Sequence, residues 1–129
     1  MDLIKMKSKI AFWHENDFHK HIIKVIEELP EEERGYELTC LLARAYNNRT
    51  RNKEKGIPNW EKAISLLESV REKGERDAMW HFRMGYALFH LGKTQEALEY
   101  FLNSEKIVDY SKDTKYFIDL CKQTEQAAQ

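Results

Sequence analysis

Three of the five histidines, His14, His19 and His21, lie close together near the N-terminus of the 129-residue chain. A zinc site requires three or four ligands that converge at fixed spacing, often with cysteine or carboxylate among them. His14 and His21 fall on opposite sides of a predicted turn, and His21 is followed by Ile22 on an amphipathic segment. We therefore expect solvated or partly packed histidines, and we predict no metal.

A second group with chemical potential is the basic segment RTRNKEK at 49–55, which carries four basic residues and one acidic residue. Such a segment could contact the phosphates of RNA. However, no aromatic residue interleaves the charges, and the whole chain has 21 basic and 22 acidic residues. Because a near-neutral chain has no overall field that attracts nucleic acid, we expect a solvated surface loop here.

The sequence contains no recognisable catalytic motif. GxSxG, a glycine-rich phosphate loop, HExxH and paired cysteines are all absent from it. Acidic residues are abundant, but they occur in runs such as EELPEEER, which are typical of solvated helix surfaces. We predict no catalytic residues and no cofactor, and we expect the protein not to be an enzyme.

The two cysteines, Cys40 and Cys121, lie in the apolar contexts TCLLA and DLCKQ and share no metal-ligand or redox spacing. Buried free thiols in a reducing compartment are the simplest interpretation. Near the N-terminus only residues 10–13 are consecutively non-polar. That run is shorter than the roughly 7–15 residues of a secretory signal, and no stretch approaches the ~18 that span a bilayer. We expect a cytoplasmic protein with no membrane partner.

Apolar residues recur at helical spacing along the whole chain, which predicts a single all-α domain of about seven helices. Pro30 precedes three glutamates that suit a helix N-terminus, and Asn59 and Ser111 are candidate N-caps. Gly92 is a helix stop signal. The candidate helices cover about 3–14, 18–29, 32–48, 59–73, 77–91, 94–108 and 112–126.

An internal repeat is visible in the second half of the chain. WEKAISLLESV aligns with TQEALEYFLNS, so that Ala63 matches Ala97 and Leu67 matches Phe101, 34 residues apart. LLARAY aligns with RMGYAL at 42 residues. We place the extra length in a polar surface insertion at about 49–57. A weaker copy at 3–30 precedes both, as expected for a degenerate terminal repeat.

A period of 34 residues built from helix–turn–helix units resembles the tetratricopeptide repeat family. The residues that carry the resemblance are Met84, Gly85, Leu88, Gly92, Ala97, Phe101 and Ser104, and one unit earlier Leu42, Ala43, Tyr46, Ala63, Leu67 and Val70. Trp80 lies one residue early, and Asp109 and Glu75 replace the family's closing proline. The resemblance implies a right-handed α-solenoid of antiparallel hairpins at 3–30, 33–73 and 77–109, capped by 112–126.

Small side chains explain how such hairpins pack. We expect Gly85 to approach Ala97, and Ala43 to approach Ala63, because small residues let two helix backbones come close. One hairpin buries only part of its apolar surface, so that neighbouring units must cover the rest. The last helix, 112–126, is expected to cover the face of 85–101.

The resemblance also implies that the first helix of each hairpin lines a concave groove for a peptide or partner segment. The candidate partner-binding residues are Met79, Phe82, Tyr86, Phe89 and His90 on one helix, and Arg44, Asn47 and Asn48 on another. Exposed aromatics of this kind can be binding hot spots, and Arg44 could hold a carboxylate. Family members that bind chaperones use a specific Lys and Asn pattern, whose first two positions are Cys40 and Arg44 here.

We predict a non-catalytic protein–protein interaction module that binds a peptide or partner segment. Two alternatives stay open. In the first, the groove is filled by the C-terminal helix or by a second copy, and the protein is a structural or oligomerisation unit. In the second, which is less favoured, it is a nucleic-acid accessory protein that uses 49–55.

Overall fold

A computed structural model describes residues 2–49, 53–108 and 111–128, and within these ranges the chain is helical with no β-strand. The helices are α1 (Leu3–Glu15), α2 (His19–Glu27), α3 (Glu31–Asn48), α4 (Lys53–Glu68), α5 (Arg71–Gly74), α6 (Ala78–His90), α7 (Thr94–Ile107) and α8 (Lys112–Ala128). The predicted all-α class is confirmed. Among these helices, none has both the length and the apolar character needed to cross a lipid bilayer.

Helix ends follow local signals in several places. Pro30 precedes α3 as its N-cap, and Asp77 caps α6 by accepting a hydrogen bond from the Met79 backbone N–H at 3.0 Å. Ser111 Oγ accepts from the Thr114 N–H at 3.3 Å, as expected for the start of the last helix. Gly92 follows α6 with φ of 83°, a conformation that favours glycine.

The fourth helix differs from its prediction. It begins at Lys53 rather than at 59, so that Asn59 lies inside the helix and is not its cap. Pro58 lacks one backbone N–H, which removes a single helical hydrogen bond and does not stop the upstream turn. The predicted surface loop at 49–57 is therefore helical from Lys53, and residues 50–52 lie outside the described ranges. The segment predicted as one helix over 59–73 ends at Glu68, and the short α5 follows.

The third helix contains a break that the apolar spacing did not indicate. Gly35 has φ of 69° and ψ of −179°, which places it outside the helical region. An L-residue rarely adopts this φ, so that glycine permits the kink. The Thr39 hydroxyl then donates to the Gly35 carbonyl at 2.7 Å and satisfies it on the far side of the break.

Buried side chains form three clusters in chain order. The first joins α1, α2 and α3 around Ile10, the second joins α3, α4 and α6 around Trp80, and the third joins α6, α7 and α8 around Phe101. Most helices pack on the next one along the chain, α4 packs on α6, and α3 also contacts α6 directly. The direct contact between α3 and α6 brings together the two helices that carry the predicted binding residues.

The small residues are buried as predicted. Ala63 and Ala97 are each 0% exposed, and Gly85 is fully enclosed. The nearest neighbour of Gly85 is the Phe101 ring, because a Cβ at this position would lie 2.7 Å from Phe101 Cε1. Glycine therefore makes room for a large aromatic ring from α7.

Two tryptophans join successive helices in the same way. Trp60 Nε1 donates to the Asn47 carbonyl at 3.3 Å, and Trp80 Nε1 donates to the Leu67 carbonyl at 2.9 Å. Each carbonyl belongs to the penultimate residue of a helix, and the Leu67 carbonyl also accepts from the Val70 N–H at 3.1 Å. Both indoles are buried, so that each links a helix end to the core.

Candidate functional site

A cleft of about 420 Å³ opens where α3 and α6 meet the start of α8 and the end of α1. We call it the α3–α6 cleft. Six of the eight residues predicted to bind a partner line it: Arg44, Asn47, Asn48, Met79, Phe82 and Tyr86. Four further residues complete the lining: His14, Arg83, Asp113 and Phe117.

One wall of the cleft is aromatic. The ring centroids of Phe82 and Tyr86 lie 5.8 Å and 5.6 Å from that of Phe117, in edge-to-face geometry that favours aromatic pairs. Phe117 belongs to α8, so that the C-terminal helix covers part of the aromatic row, as one of the open alternatives anticipated. Met79 is still 48% exposed. The cleft is therefore narrowed by α8 but has an apolar, accessible edge.

Phe89 and His90 were predicted to line the site, but they are not among the residues that line the cleft. The Phe89 ring packs on Phe117 with a centroid distance of 5.4 Å. The His90 ring stacks on Trp60 at 5.0 Å and lies 4.4 Å from the Tyr86 ring. Phe89 therefore packs against α8 and His90 against α4, and both contact rings of the aromatic wall.

The opposite wall is polar and holds two arginines. Asn47 Nδ2 donates to the Arg83 carbonyl at 3.3 Å and so links α3 to α6, while Asn48 Nδ2 donates to the Arg44 carbonyl of its own helix at 3.0 Å. The Nε atoms of Arg44 and Arg83 and the Oδ1 atom of Asn47 are buried without a hydrogen-bond partner. Asn47 is only 4% exposed. Buried polar atoms without partners are rare in native proteins, so that these three are an uncommon feature of this wall.

The electrostatics of this wall are positive. Burial, and then the charge of Arg83, lower the pKa of Arg44 to about 10, which leaves its guanidinium charged at neutral pH. Burial, and then the charge of Arg44, lower the pKa of His14 below its usual value and favour the neutral imidazole. Among the ion pairs of the described residues, none involves either arginine. Asp113 is the one carboxylate among the described lining residues, and it is exposed.

The spacing of α6 could have identified one of the missed residues. Arg83 follows Met79 by four positions and precedes Tyr86 by three, so that all three share a helix face. His14, Asp113 and Phe117 reach the cleft only through the packing of α1 and α8, which no local pattern reveals.

A larger cleft of about 730 Å³ lies along α3, α4 and α5. Its charged lining residues are Glu31, Glu32 and Glu72, against Arg34, Lys62 and Lys73. Because these charges balance, it has no preference for either sign of ligand. It also contains none of the residues predicted to bind a partner.

The histidine group does not form a metal site within the described residues, where no three potential ligands converge. The His14 and His19 rings lie 5.5 Å apart, whereas His21 packs edge-on against Trp13 at 4.4 Å. His19 Nε2 lies 3.3 Å from the Asp17 carboxylate. The three histidines therefore have different local partners.

No protein-family model matches this sequence, and no curated protein matches it significantly. The functional inference accordingly depends on the fold and on the chemistry of the α3–α6 cleft.

Proposed function

We propose that the protein is a non-catalytic interaction module, similar to tetratricopeptide-repeat proteins, that holds a segment of a partner protein in the α3–α6 cleft. The carrying observation is that six of the predicted binding residues, from α3 and α6, line one cleft with an apolar and a positively charged part. An exposed apolar edge beside unsatisfied hydrogen-bonding groups is the usual composition of a peptide site.

The burial pattern supports the repeat architecture. Ala63 and Ala97 occupy matching positions and are both 0% exposed, and Leu67 and Phe101 match in the same way. The three core clusters follow one another along the chain, as in proteins whose helix pairs stack on their neighbours. We include a right-handed solenoid of antiparallel hairpins in the proposal on this basis.

A binding role fits the cleft better than catalysis does. Among the described residues that line the cleft, there is no serine, threonine or cysteine that could act as a nucleophile. Cys40 and Cys121 are both buried free thiols whose pKa values are raised by burial, so that they stay protonated and unreactive. Two free thiols also favour a reducing compartment, and we propose a cytoplasmic location.

The first prediction compares two side chains of equal exposure. Met79 lines the cleft and Ile57 does not, and each is 48% exposed. We expect Met79→Ser to weaken partner capture from an extract of the source cells about 5- to 30-fold, because about 1–2 kcal/mol of apolar contact is lost. Ile57→Ser should capture the same partners as the unmodified protein. Capture is read by quantitative mass spectrometry, and equal partner lists from all three folded proteins would contradict the proposal.

A second candidate function is self-association, which exposed apolar residues on and beside α1 favour. Leu3, Ile4, Phe12 and Phe18 are 45%, 71%, 59% and 51% exposed. A solution mass of two chains that falls to one chain in Ile4→Lys would favour this alternative. The nucleic-acid alternative depends on 49–55, of which only the exposed Arg49 has a described side chain.

A further inference from the structure

We propose that the α3–α6 cleft selects a partner segment bearing a phosphorylated side chain, with the phosphoryl group held between the guanidinium groups of Arg44 and Arg83. This inference depends on the proposed function, because it names the ligand of the same cleft.

The first support is the uncompensated charge of the two arginines. They lie close enough for the charge of Arg83 to lower the pKa of Arg44, and no described carboxylate forms an ion pair with either of them. Burying like charges without a counterion is unfavourable. An anion placed between the guanidinium groups would offset both charges at once.

The second support is the donor geometry of the two guanidinium groups. Arg44 Nε and Arg83 Nε are both buried and lack an acceptor. A phosphoryl group carries about −1.5 to −2 charges at neutral pH and three acceptor oxygens, whereas a carboxylate carries one charge and two oxygens. Guanidinium groups present a fork of N–H donors that suits phosphate. A single phosphoryl group can therefore satisfy both arginines, which one carboxylate cannot neutralise.

The third support indicates a peptide rather than a free ion. Asn47 Oδ1 is buried and lacks a donor, while its Nδ2 atom is committed to the Arg83 carbonyl. A ligand that supplies an N–H group beside its anion would satisfy this oxygen. A backbone N–H of a peptide does this, and Met79 and the aromatic wall can receive a neighbouring apolar side chain.

Asp113 allows a test in which a substitution should increase the affinity for a phosphoryl group. It lies on the cleft lining, is exposed and forms no ion pair with a described cation. Its negative charge opposes an incoming phosphoryl group, so that its neutralisation should strengthen binding.

The experiment uses three small probes and needs no identified partner. N-acetyl-phosphoserine N-methylamide, N-acetyl-aspartate N-methylamide and methyl phosphate are titrated into the ¹⁵N-labelled protein, with the arginine Nε–Hε resonances as readout. We expect the resonances of Arg44 and Arg83 to follow one saturating curve with the phosphoserine probe. The aspartate probe should bind at least about tenfold more weakly, because it carries half the charge. Methyl phosphate, which lacks the N–H group, should bind about threefold more weakly or worse.

Variants give the matched controls. Arg44→Gln and Arg83→Gln should each lower the affinity for the phosphoserine probe at least about tenfold, and Asp113→Asn should raise that affinity about threefold. Arg76→Gln, which removes an exposed guanidinium outside the cleft, should leave it unchanged. The comparison of probes on the unmodified protein does not depend on how the variants fold.

Two outcomes would overturn the inference: no saturable change with the phosphoserine probe, or equal affinity for the phosphoserine and aspartate probes. If methyl phosphate binds as tightly as the phosphoserine probe, the claim that the ligand is a peptide is overturned. The proposed function is tested separately by the dependence of partner capture on Met79. If that dependence is found but the phosphoserine probe does not bind, the phosphoryl inference fails and the proposed function does not.

Discussion

At the scale of single residues, the cleft places a histidine where its charged form is disfavoured. His14 is half-buried, its Nδ1 atom has no hydrogen-bond partner, and its pKa is lowered first by burial and then by Arg44. In the unfolded chain the imidazole regains its ordinary pKa of about 6.5. Below that pH the unfolded state binds more protons than the folded state, so that acid removes stability.

We predict that the free energy of unfolding falls as the pH is lowered from about 7.5 to about 5.5. In the His14→Gln variant, the free energy of unfolding should fall less over the same range. Urea denaturation at the two pH values measures both differences. His21→Gln serves as the control, because His21 is exposed and lies outside the cleft. An unchanged pH dependence in His14→Gln would show that the histidine is already solvated in the folded protein.

At the scale of elements, the packing of α6 on α7 depends on the absence of a side chain at Gly85. The Phe101 ring fills that space, is 0% exposed and stacks on Phe117 with a centroid distance of 5.3 Å. The ring also lies 5.7 Å from that of Phe82. Because it is enclosed on these sides, it cannot move aside for an added methyl group.

We predict that Gly85→Ala lowers the free energy of unfolding by about 1–3 kcal/mol, although alanine is the better helix former. Combining it with Phe101→Leu should cost less than the sum of the two single changes, because the smaller side chain vacates the contested space. Chemical denaturation of the four proteins gives the coupling. Strict additivity would mean that the two residues do not compete for the same volume.

The helices that the sequence predicts well are those with local signals. The boundaries of α6 follow from Asp77, a cap beside the apolar run, and from Gly92 with its positive φ. The early start of α4 was missed although it has a local support: the Trp60 ring lies where a Cβ of Gly56, one turn upstream, would be. Asn59 is a cap candidate by residue type alone, whereas the helix continues upstream of Asn59 and of Pro58.

The residues of the candidate site likewise divide into those that local spacing predicts and those that depend on the packing of distant helices. Met79, Phe82 and Tyr86 were found because they share one face of one helix, a relation that spacing encodes. Phe117 comes from α8 and His14 from α1, so that their position depends on how whole helices pack. The predicted site contains one arginine, Arg44, whereas the cleft contains a second, Arg83, which makes it more positive than predicted.

At the scale of the whole molecule, α8 covers the last core cluster. Ile118 and Cys121 are 5% and 0% exposed and pack with Leu88, Ala97 and Phe101. Without α8 this cluster would face water along α6 and α7. In stacked-helix proteins a terminal helix with one polar face fulfils this role.

We predict that ending the chain after Val108 lowers the free energy of unfolding by at least about 3 kcal/mol, the usual cost of removing a large buried side chain, and creates a binding surface for a hydrophobic dye. Ending it after Thr124 should change neither property, since the described side chains beyond it are half-buried or exposed. Denaturation curves and dye fluorescence measure the two effects. Equal stability of the shorter protein would mean that α8 is an appendage rather than a cover.

The paired indole contacts at the ends of α3 and α4 give the molecule built-in optical probes. Trp60 and Trp80 report on different junctions, because each is held by a carbonyl of a different helix. Their ring neighbours also differ, since Trp60 stacks on His90 and Trp80 meets His81 and Tyr100 edge-on. In a Trp13→Phe background, replacing either indole leaves fluorescence emission from one junction alone. Opening at the end of α3 and opening at the end of α4 can then be followed separately.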